Sequence, residues 1–376
     1  MRTVLAMLLM VAALWGCDGP RPAPARLDIG QLLGAAPSEG FARADRLRAF
    51  DFPQDHGAHP AFRNEWWYLT GNLEDPDGRR FGYQVTFFRN ALQPPGPPGG
   101  DSAWRSRSLW MAHAALTDAQ GRVHRAHERF SRGEPGLAGA TAQPFAVWLE
   151  NWRLSGLAAG GAHAFPWRLS LPTADFSLQL SLRADAEPVL QGERGWSRKS
   201  ARPGNASYYY SFPRLQSSGE LALAGQRYRV AGLSWFDREW STSALDQGQT
   251  GWDWFSLQLR DGSALMYYQL RRGDREVDPF SRGSRVSPAG VVSAIGPDAI
   301  ELRPLAHWRG PDGVDYPVEW ALALRPDGPR WLVRAVLPQQ FMDLSVRYWE
   351  GAVDVLDAAS GRPLGRGYLE MTRLRR

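Results

Sequence analysis

The chain has 376 residues, more than one typical domain, and its 17 tryptophans, 39 glycines and 28 prolines are typical of short strands joined by tight turns. Its net charge is +5, and all but one of its 44 lysine and arginine residues are arginines. They are spread among acids rather than gathered in the stripe that a nucleic acid requires, so no nucleic-acid partner is expected.

The first residues predict export from the cytoplasm. Arg2 precedes an apolar run over residues 4–15 that is too short to span a bilayer, and a glycine then precedes Cys17, the only cysteine. This order is typical of a bacterial lipoprotein signal over residues 1–17, with Cys17 lipidated and the protein membrane-anchored on the periplasmic side of the cell envelope. The alternative is ordinary cleavage that removes the cysteine, and neither case allows an internal disulfide. Residues 18–45, rich in Pro, Ala, Gly and Arg, are typical of a flexible tether.

Residues 55–71 combine histidines, an acid and aromatic side chains in a predicted strand and the loop before it. Because side chains alternate along a strand, Glu65 and Trp67 share one face, while Trp66 and Tyr68 share the other. A carboxylate beside an indole in a poorly hydrated pocket can transfer protons or hold a polar ligand. Glu65 is therefore a candidate acid, with a structural ion pair to an arginine as the alternative.

Alternation continues along the chain and predicts further strands. In the first half they cover 81–87, 110–117, 123–130, 147–154, 167–171, 176–183, 208–212, 219–223 and 227–233. The second half opens with the aromatic segments 234–240 and 251–255 and continues with strands over 316–324, 330–337, 348–355 and 368–372. No segment of the main body has the period of an amphipathic helix, so the predicted fold class is all-β.

A weak internal repeat indicates two related β units. An acid, an aromatic pair, a glycine turn and a Tyr-Gln strand follow one another from Glu65, and the same order recurs from Asp253. Chance similarity between aromatic-rich strands is the alternative. We place the boundary near Gly232, which predicts one domain over residues 46–232 and a second over residues 233–376.

Seven short motifs carry a family resemblance that extends from about residue 50 to the end of the chain. They are His59-Pro60, Glu65-Trp-Trp-Tyr68-x-Thr-Gly71, Phe87-Phe-Arg89, Ala112-His-Ala114, Tyr208-Tyr-Tyr-Ser211, Asp237-Arg-Glu-Trp240 and Tyr348-Trp-Glu-Gly351. Together they resemble the AttH/CrtC lipocalin-like family, which includes secreted predicted hydrolases and carotenoid 1,2-hydratases (hydroxyneurosporene synthases). The resemblance implies two consecutive lipocalin-like β-barrel domains.

The hydratase branch of that family is similar in having an acid–His–Asn–Trp element where this chain has Asp237-Arg-Glu-Trp240. Hydration of an isolated alkene needs a strong proton donor, and the arginine in the histidine place cannot donate a proton at any accessible pH. Asp237 or Glu239 could donate one if burial raised its pKa.

The histidines support no metal site. Asp55-His56-x-x-His59 lacks the helical spacing of a zincin motif, and His59 is expected instead to close over a barrel mouth. His113, among alanines in mid-strand, is either a satisfied core histidine or a base that faces a cavity. No G-x-S-x-G elbow occurs and the only cysteine belongs to the signal, so no nucleophile supports a hydrolase, and no cofactor is expected.

These features favour a cell-envelope lipoprotein that binds an apolar or amphiphilic small molecule inside its barrels. A second hypothesis is a hydratase- or cyclase-type enzyme that transfers a proton to an olefinic or isoprenoid substrate, with aromatic faces stabilising a cation. A third, suggested by the resemblance, is an accessory protein of an ABC-type exporter. The candidate catalytic residues are Glu65, Asp237, Glu239 and His113. The candidate ligand-binding residues are His59, Trp66, Tyr68, Tyr208, Trp240, Asp253 and Trp254.

Overall fold

The structure is a computed structural model that describes residues 39–96, 107–157, 161–243, 245–246, 248–273 and 276–372. In this part of the chain, two antiparallel sheets curl into a near-barrel and a half-barrel, which confirms the all-β, lipocalin-like prediction. The helical segments described are three 3₁₀ turns at Gln54–His56, Gly161–His163 and Pro297–Ala299. Among these residues no helix has the length and apolar character needed to cross a bilayer. Cys17 and the predicted signal lie outside the described residues.

Thirteen strands form the first sheet. They are β1 (Asn64–Glu74), β2 (Arg80–Ala91), β3 (Ser108–Asp118), β4 (Val123–Ser131), β5 (Ala138–Ala142), β6 (Phe145–Leu149), β7 (Trp152–Ser155), β8 (Trp167–Pro172), β9 (Phe176–Arg183), β10 (Val189–Leu190), β11 (Trp196–Arg198), β12 (Ala206–Leu223) and β13 (Gln226–Ser241). The order across the sheet is β4-β3-β2-β1-β13-β12-β9-β8-β7-β6-β5. The short strands β10 and β11 pair with the first half of β12, while β9 pairs with its second half.

Ten strands form the second sheet. They are β14 (Gln249–Leu259), β15 (Ala264–Arg272), β16 (Arg282–Val286), β17 (Val292–Ile295), β18 (Ile300–Arg309), β19 (Asp315–Leu324), β20 (Arg330–Ala335), β21 (Phe341–Met342), β22 (Tyr348–Asp357) and β23 (Pro363–Met371). The order is β17-β16-β15-β14-β23-β22-β20-β19-β18, with β21 paired to β22.

The predicted domain boundary near Gly232 falls inside a strand. β13 pairs with β1 from Ala231 to Ser241 and with β12 over most of its length, so residues 233–241 belong to the first sheet. The second sheet begins at Gln249. Because a usual strand has about 5–6 residues, the sequence pattern predicts two separate segments, over 227–233 and 234–240. The structure has one strand of 16 residues, β13, in their place.

The last residues of the predicted tether pack against the first sheet. Ala44 is fully buried, and its carbonyl accepts a hydrogen bond from the Trp196 indole at 2.9 Å. The backbone N–H of Ala42 donates to the carbonyl of Ala61 at 2.8 Å. The folded part therefore starts before residue 45, so the last residues of the predicted tether are not flexible. Their Pro- and Ala-rich composition gave no sign of this packing.

The inside of the near-barrel is filled by side chains. Trp67, Trp152, Trp167, Phe212 and Trp240 are all buried in its core. The half-barrel has a core of its own, which includes Trp320, Trp331 and Trp349. Tryptophans thus occupy much of the interior of both sheets.

The two sheets pack against each other through the outer faces of β1–β2 and β22–β23. The Asn72 side-chain amide donates to the Gly367 carbonyl at 3.0 Å, and Arg80 forms an ion pair with Asp354 at 2.5 Å. A Cβ atom on Gly82 would come within 2.6 Å of the Ala352 side chain. The backbones therefore approach closely where these strands meet.

A buried ion cluster joins three neighbouring strands inside the near-barrel. The Glu65 carboxylate on β1 accepts hydrogen bonds from Arg89 of β2 and Arg238 of β13, and from the backbone N–H of His59 at 3.0 Å. The Arg238 guanidinium lies 3.8 Å from the Trp67 ring centre. Burial alone would raise the pKa of Glu65, but the charges of Arg89 and Arg238 outweigh it and hold the pKa well below its usual range.

Replacement of Glu65 by glutamine is expected to destabilise the fold strongly. It leaves the buried guanidinium of Arg238 without its counter-charge, and loss of one partner of a buried pair lowers the free energy of unfolding by about 3–5 kcal/mol. Urea denaturation measures the change. The control is Glu220→Gln, whose exposed pair with Arg227 is expected to contribute less than about 1 kcal/mol. Equal losses in the two variants would contradict a structural role for Glu65.

Candidate functional site

A cavity lies between the two sheets rather than inside either of them. The centre of a water molecule can occupy about 90 Å³ of it, several times the roughly 10–15 Å³ that one water needs. Eight of its wall residues are aromatic: Trp66, Tyr68, Phe88, Tyr209, Trp252, Trp254, Tyr268 and Tyr348. Four are ionisable: Lys199, Asp237, Glu239 and Glu370.

Strand alternation explains why these side chains meet. On β13, Arg238 points into the near-barrel, so Asp237 and Glu239 on either side of it point outward into the cavity. On β1 the same rule sends Glu65 inward and Trp66 outward. The second sheet closes the opposite wall with residues of β14, β15, β22 and β23.

Asp237 is a buried acid with three hydrogen-bond donors around it. Its carboxylate accepts bonds from the Tyr209 hydroxyl at 2.5 Å, the Ser211 hydroxyl at 2.6 Å and the Trp235 indole at 2.7 Å. Burial raises the pKa of Asp237 to about 7, against the opposing effect of these donors and with a further contribution from the charge of Glu239. Near neutral pH, Asp237 can therefore both release and accept a proton.

Glu239 is an ion-paired acid on the same face of β13. The Lys199 ammonium lies 3.1 Å from its carboxylate, and the Ser207 hydroxyl donates to the same oxygen. The two acids are two residues apart along one strand, which separates their backbones by roughly 7 Å. Their surroundings differ, because Asp237 has only uncharged donors around it while Glu239 has a cation.

Glu370 brings a third acid to the cavity from the second sheet. Its carboxylate accepts a hydrogen bond from the Trp252 indole at 2.8 Å. Burial raises the pKa of Glu370 to about 7, the bond from Trp252 opposes this rise, and the charges of Asp237 and Glu239 add to it. The acids of the first sheet therefore contribute to the raised pKa of Glu370 across the cavity.

Behind the cavity wall, Glu350 and His113 each contact a tyrosine of the wall. The Tyr68 hydroxyl donates to Glu350 at 2.5 Å, and burial together with the charge of Glu370 raises the pKa of Glu350 well above its usual value. The Tyr348 hydroxyl lies 2.8 Å from Nδ1 of His113. Burial lowers the pKa of His113 to about 3, so its ring is neutral at physiological pH.

The cavity brings together five of the residues selected from the sequence: Trp66, Tyr68, Asp237, Glu239 and Trp254. His113 is fully buried behind Tyr348 and does not face the cavity. Asp253 points to the other face of β14, where it pairs with Arg271 at 2.5 Å.

Four selected residues lie inside the near-barrel instead. Glu65 is held as an anion by two arginines and has no proton to donate. His59 stacks on Trp240 with ring centres 3.8 Å apart, and its Nε2 lies 3.0 Å from Asp55. The Tyr208 hydroxyl donates to the Arg46 carbonyl at 2.9 Å. These contacts place all four in the core beside the chain segment that enters it.

Sequence reasoning did not select Lys199, Tyr209, Trp252 or Glu370 for the site. One sign was available, since Lys199 is the only lysine in the chain. Glu370 lies on a strand that the sequence predicted, but its place depends on the pairing of β23 with β14. These two strands are separated by more than a hundred residues, and no local sequence pattern indicates that they pair.

Comparisons with known proteins agree with this architecture. The sequence model of the AttH-like family matches residues 43–373. A protein of Nitrosomonas europaea described as AttH has a solved structure with a TM-score of 0.77 and 35% identity, covering 88% of this chain and 99% of that one. No curated protein sequence matches the chain.

Two more distant structures share the fold alone. Kievitone hydratase from Nectria haematococca has a TM-score of 0.67 at 11% identity, covering 89% of this chain and 98% of that one. CghA in complex with Sch210972 has a TM-score of 0.54 at 14% identity, covering 93% and 98%.

Replacement of Asp237 by asparagine is expected to change how stability depends on pH. The native pKa of about 7 lies above the usual 3.8, so the native state binds the proton more tightly and loses stability as the pH rises between these values. Asparagine does not titrate. From pH 5 to pH 8 the variant should gain about 2–3 kcal/mol relative to the unmodified protein, at about 1.4 kcal/mol per pKa unit.

Urea denaturation at the two pH values measures this gain. The control is Asp185→Asn at an exposed aspartate, which should change stability equally at both pH values. If the Asp237 variant also shows no pH-dependent difference, Asp237 does not have a raised pKa.

Proposed function

The chain belongs to the AttH-like family, and we propose that it is a hydratase-type enzyme that transfers a proton to an olefinic, isoprenoid-like molecule bound between its two sheets. The observation that carries this proposal is the environment of Asp237, an acid with a pKa of about 7 in the wall of an aromatic cavity. A general acid works best when its pKa lies near the working pH. The hydratase in the fold comparison is consistent with this chemistry but does not establish it.

The first step uses Asp237 as the acid. The π electrons of the alkene take the carboxyl proton and form a C–H bond, which leaves a carboxylate on Asp237 and a carbocation on the other alkene carbon. The aromatic rings of Trp66 and Trp254 in the wall stabilise that cation through their quadrupoles.

The second step adds water to the cation. A lone pair of the water oxygen forms the new C–O bond, and the Glu239 carboxylate, paired with Lys199, takes the proton that the water loses. Two neighbouring acids in different environments thus divide the acid and base roles. The proton returns from Glu239 to Asp237 through solvent, and the net reaction is the addition of one water across the double bond.

A binding protein for an apolar or amphiphilic molecule is the second candidate. The aromatic lining of the cavity favours it, since such walls suit ligands of this kind whether or not a reaction follows. The two candidates share one cavity and differ in whether Asp237 is needed after the molecule has bound.

Turnover by the Asp237→Asn variant separates them. The purified protein is incubated with acyclic isoprenoid alcohols and prenylated phenols in ordinary and oxygen-18 water, and mass spectrometry detects the gain of one water. We expect the variant to lose about 10²–10⁴-fold in rate while it keeps its affinity, because the proton donor is removed and the aromatic wall remains.

Asp185→Asn serves as the control and should retain full activity. Equal rates for the Asp237 variant and the unmodified protein would contradict the enzyme proposal. Binding of a probe without any hydration by the unmodified protein would favour the binding protein instead.

We further propose that the protein is exported and anchored in the cell envelope through Cys17. This rests on the charged start, the short apolar run and the single cysteine. A periplasmic, membrane-anchored protein would meet apolar molecules at the membrane surface, and an accessory role beside an ABC-type exporter is one use of such a position.

Replacement of Cys17 by alanine is expected to release the protein from membranes, because the residue that carries the lipid is lost. Membrane fractionation and immunoblotting of cells that express the full chain measure this. Ser38→Ala, a change outside the signal, is the control and should leave the protein in the membrane fraction. Continued membrane association of the Cys17 variant would show that another feature anchors it.

A further inference from the structure

Lys199 is the one cation among the described residues that line the cavity. It is also the only lysine in the chain. The residue is buried, with 7% of its surface exposed, and the Gln249 side chain holds its backbone carbonyl at 2.7 Å. A charged group is seldom placed in such a wall without a partner or a function.

The Lys199 ammonium has three neighbours among the residues around the cavity. Nζ lies 3.1 Å from the Glu239 carboxylate and 3.3 Å from the Ser197 hydroxyl. It also lies 4.1 Å from the ring centre of Tyr268, whose hydroxyl is 2.9 Å from that of Ser197. The contact to Ser197 is longer than a usual hydrogen bond, and Ser197 has Tyr268 as a second partner. An oxygen atom of a ligand can therefore replace Ser197 at the ammonium.

The choice of lysine differs from the rest of the chain. Three other buried acids, Glu65, Asp118 and Asp253, are paired with arginine. The planar guanidinium of arginine donates two parallel hydrogen bonds to one carboxylate. The ammonium of lysine is compact, and its three N–H donors point in three different directions. Lysine can therefore hold Glu239 and still donate to another acceptor in the cavity.

We propose that Lys199 anchors an acceptor oxygen of the substrate, so that the molecule bound between the sheets is an oxygenated one with a carbonyl group rather than a pure hydrocarbon. Burial by itself would lower the pKa of Lys199, but the charge of Glu239 and the contact with Tyr268 outweigh it and raise the pKa. A protonated lysine donates hydrogen bonds but accepts none. The carbonyl oxygen lies at the Lys199 end, and the apolar body lies against the tryptophans. This inference rests on the proposed function for the use of the cavity and adds the class of substrate.

Binding of two saturated probes tests the anchor without any reaction. 2-Decalone and decalin have the same bicyclic body and differ in one carbonyl, and neither has an alkene to hydrate. Displacement of the fluorescent probe N-phenyl-1-naphthylamine measures both affinities. We expect 2-decalone to bind about tenfold or more tightly than decalin, the usual range for a hydrogen bond to a charged group.

Two variants separate the anchor from a structural role. Loss of Lys199 alone would leave Glu239 buried without its cation, so the test uses Lys199→Met combined with Glu239→Gln. This double variant should bind the two probes equally. Ser197→Ala is the matched control, and it should keep the preference for the ketone because Lys199 and Glu239 both remain.

The single lysine also gives a direct spectroscopic reading. Protein labelled with carbon-13 at lysine Cε has one lysine resonance, and 2-decalone should shift it while decalin should not. Equal affinities, an unmoved lysine resonance with bound 2-decalone, or no binding of 2-decalone up to its solubility limit would each overturn the anchor. Because neither probe has an alkene to hydrate, these outcomes are independent of whether the protein is a hydratase.

Discussion

The arrangement of the site depends on one ion pair at the centre of the first sheet. Arg238 reaches Glu65 across neighbouring strands, and both side chains are completely buried. A shift of β13 by one residue would turn this arginine outward and leave the acid inside without a counter-charge. The pair therefore fixes the face that each residue of β13 presents, and with it the outward direction of Asp237 and Glu239.

Burial between the sheets then determines the pKa of Asp237. Asp237 and Glu239 face aromatic walls from the second sheet instead of solvent, so the protonated form is favoured where no cation lies close. Asp237 has hydroxyl and indole donors, whereas Glu239 has Lys199. Asp237, Glu239 and Lys199 thus line one cavity, where we propose that they act as proton donor, proton acceptor and anchor. The core of the near-barrel contains Glu65 and His59, which the sequence had selected for the site. Their contacts there are structural ones, to arginines and to Trp240.

Period-two alternation was sufficient to predict the all-β class and the two faces of β1. It could not decide which face looks into a cavity, because both faces of β1 are buried, one in the near-barrel core and one against the second sheet. The sequence thus favoured Glu65, an acid beside tryptophans, and the structure placed it among arginines. It also could not pair β23 with β14, the long-range contact that brings Glu370 to the site. The two acids that begin the internal repeat are placed alike in the structure. Glu65 and Asp253 both point away from the cavity, and both pair with arginine.

The proposed chemistry requires Asp237 to carry a proton near neutral pH in the space between the sheets. Carbon-13 NMR of protein labelled at the aspartate carboxyl carbons measures this, with the Asp237 resonance assigned by its loss in the asparagine variant. We expect this resonance to titrate with a midpoint near pH 7. A midpoint close to the ordinary aspartate value of about 4 would contradict it.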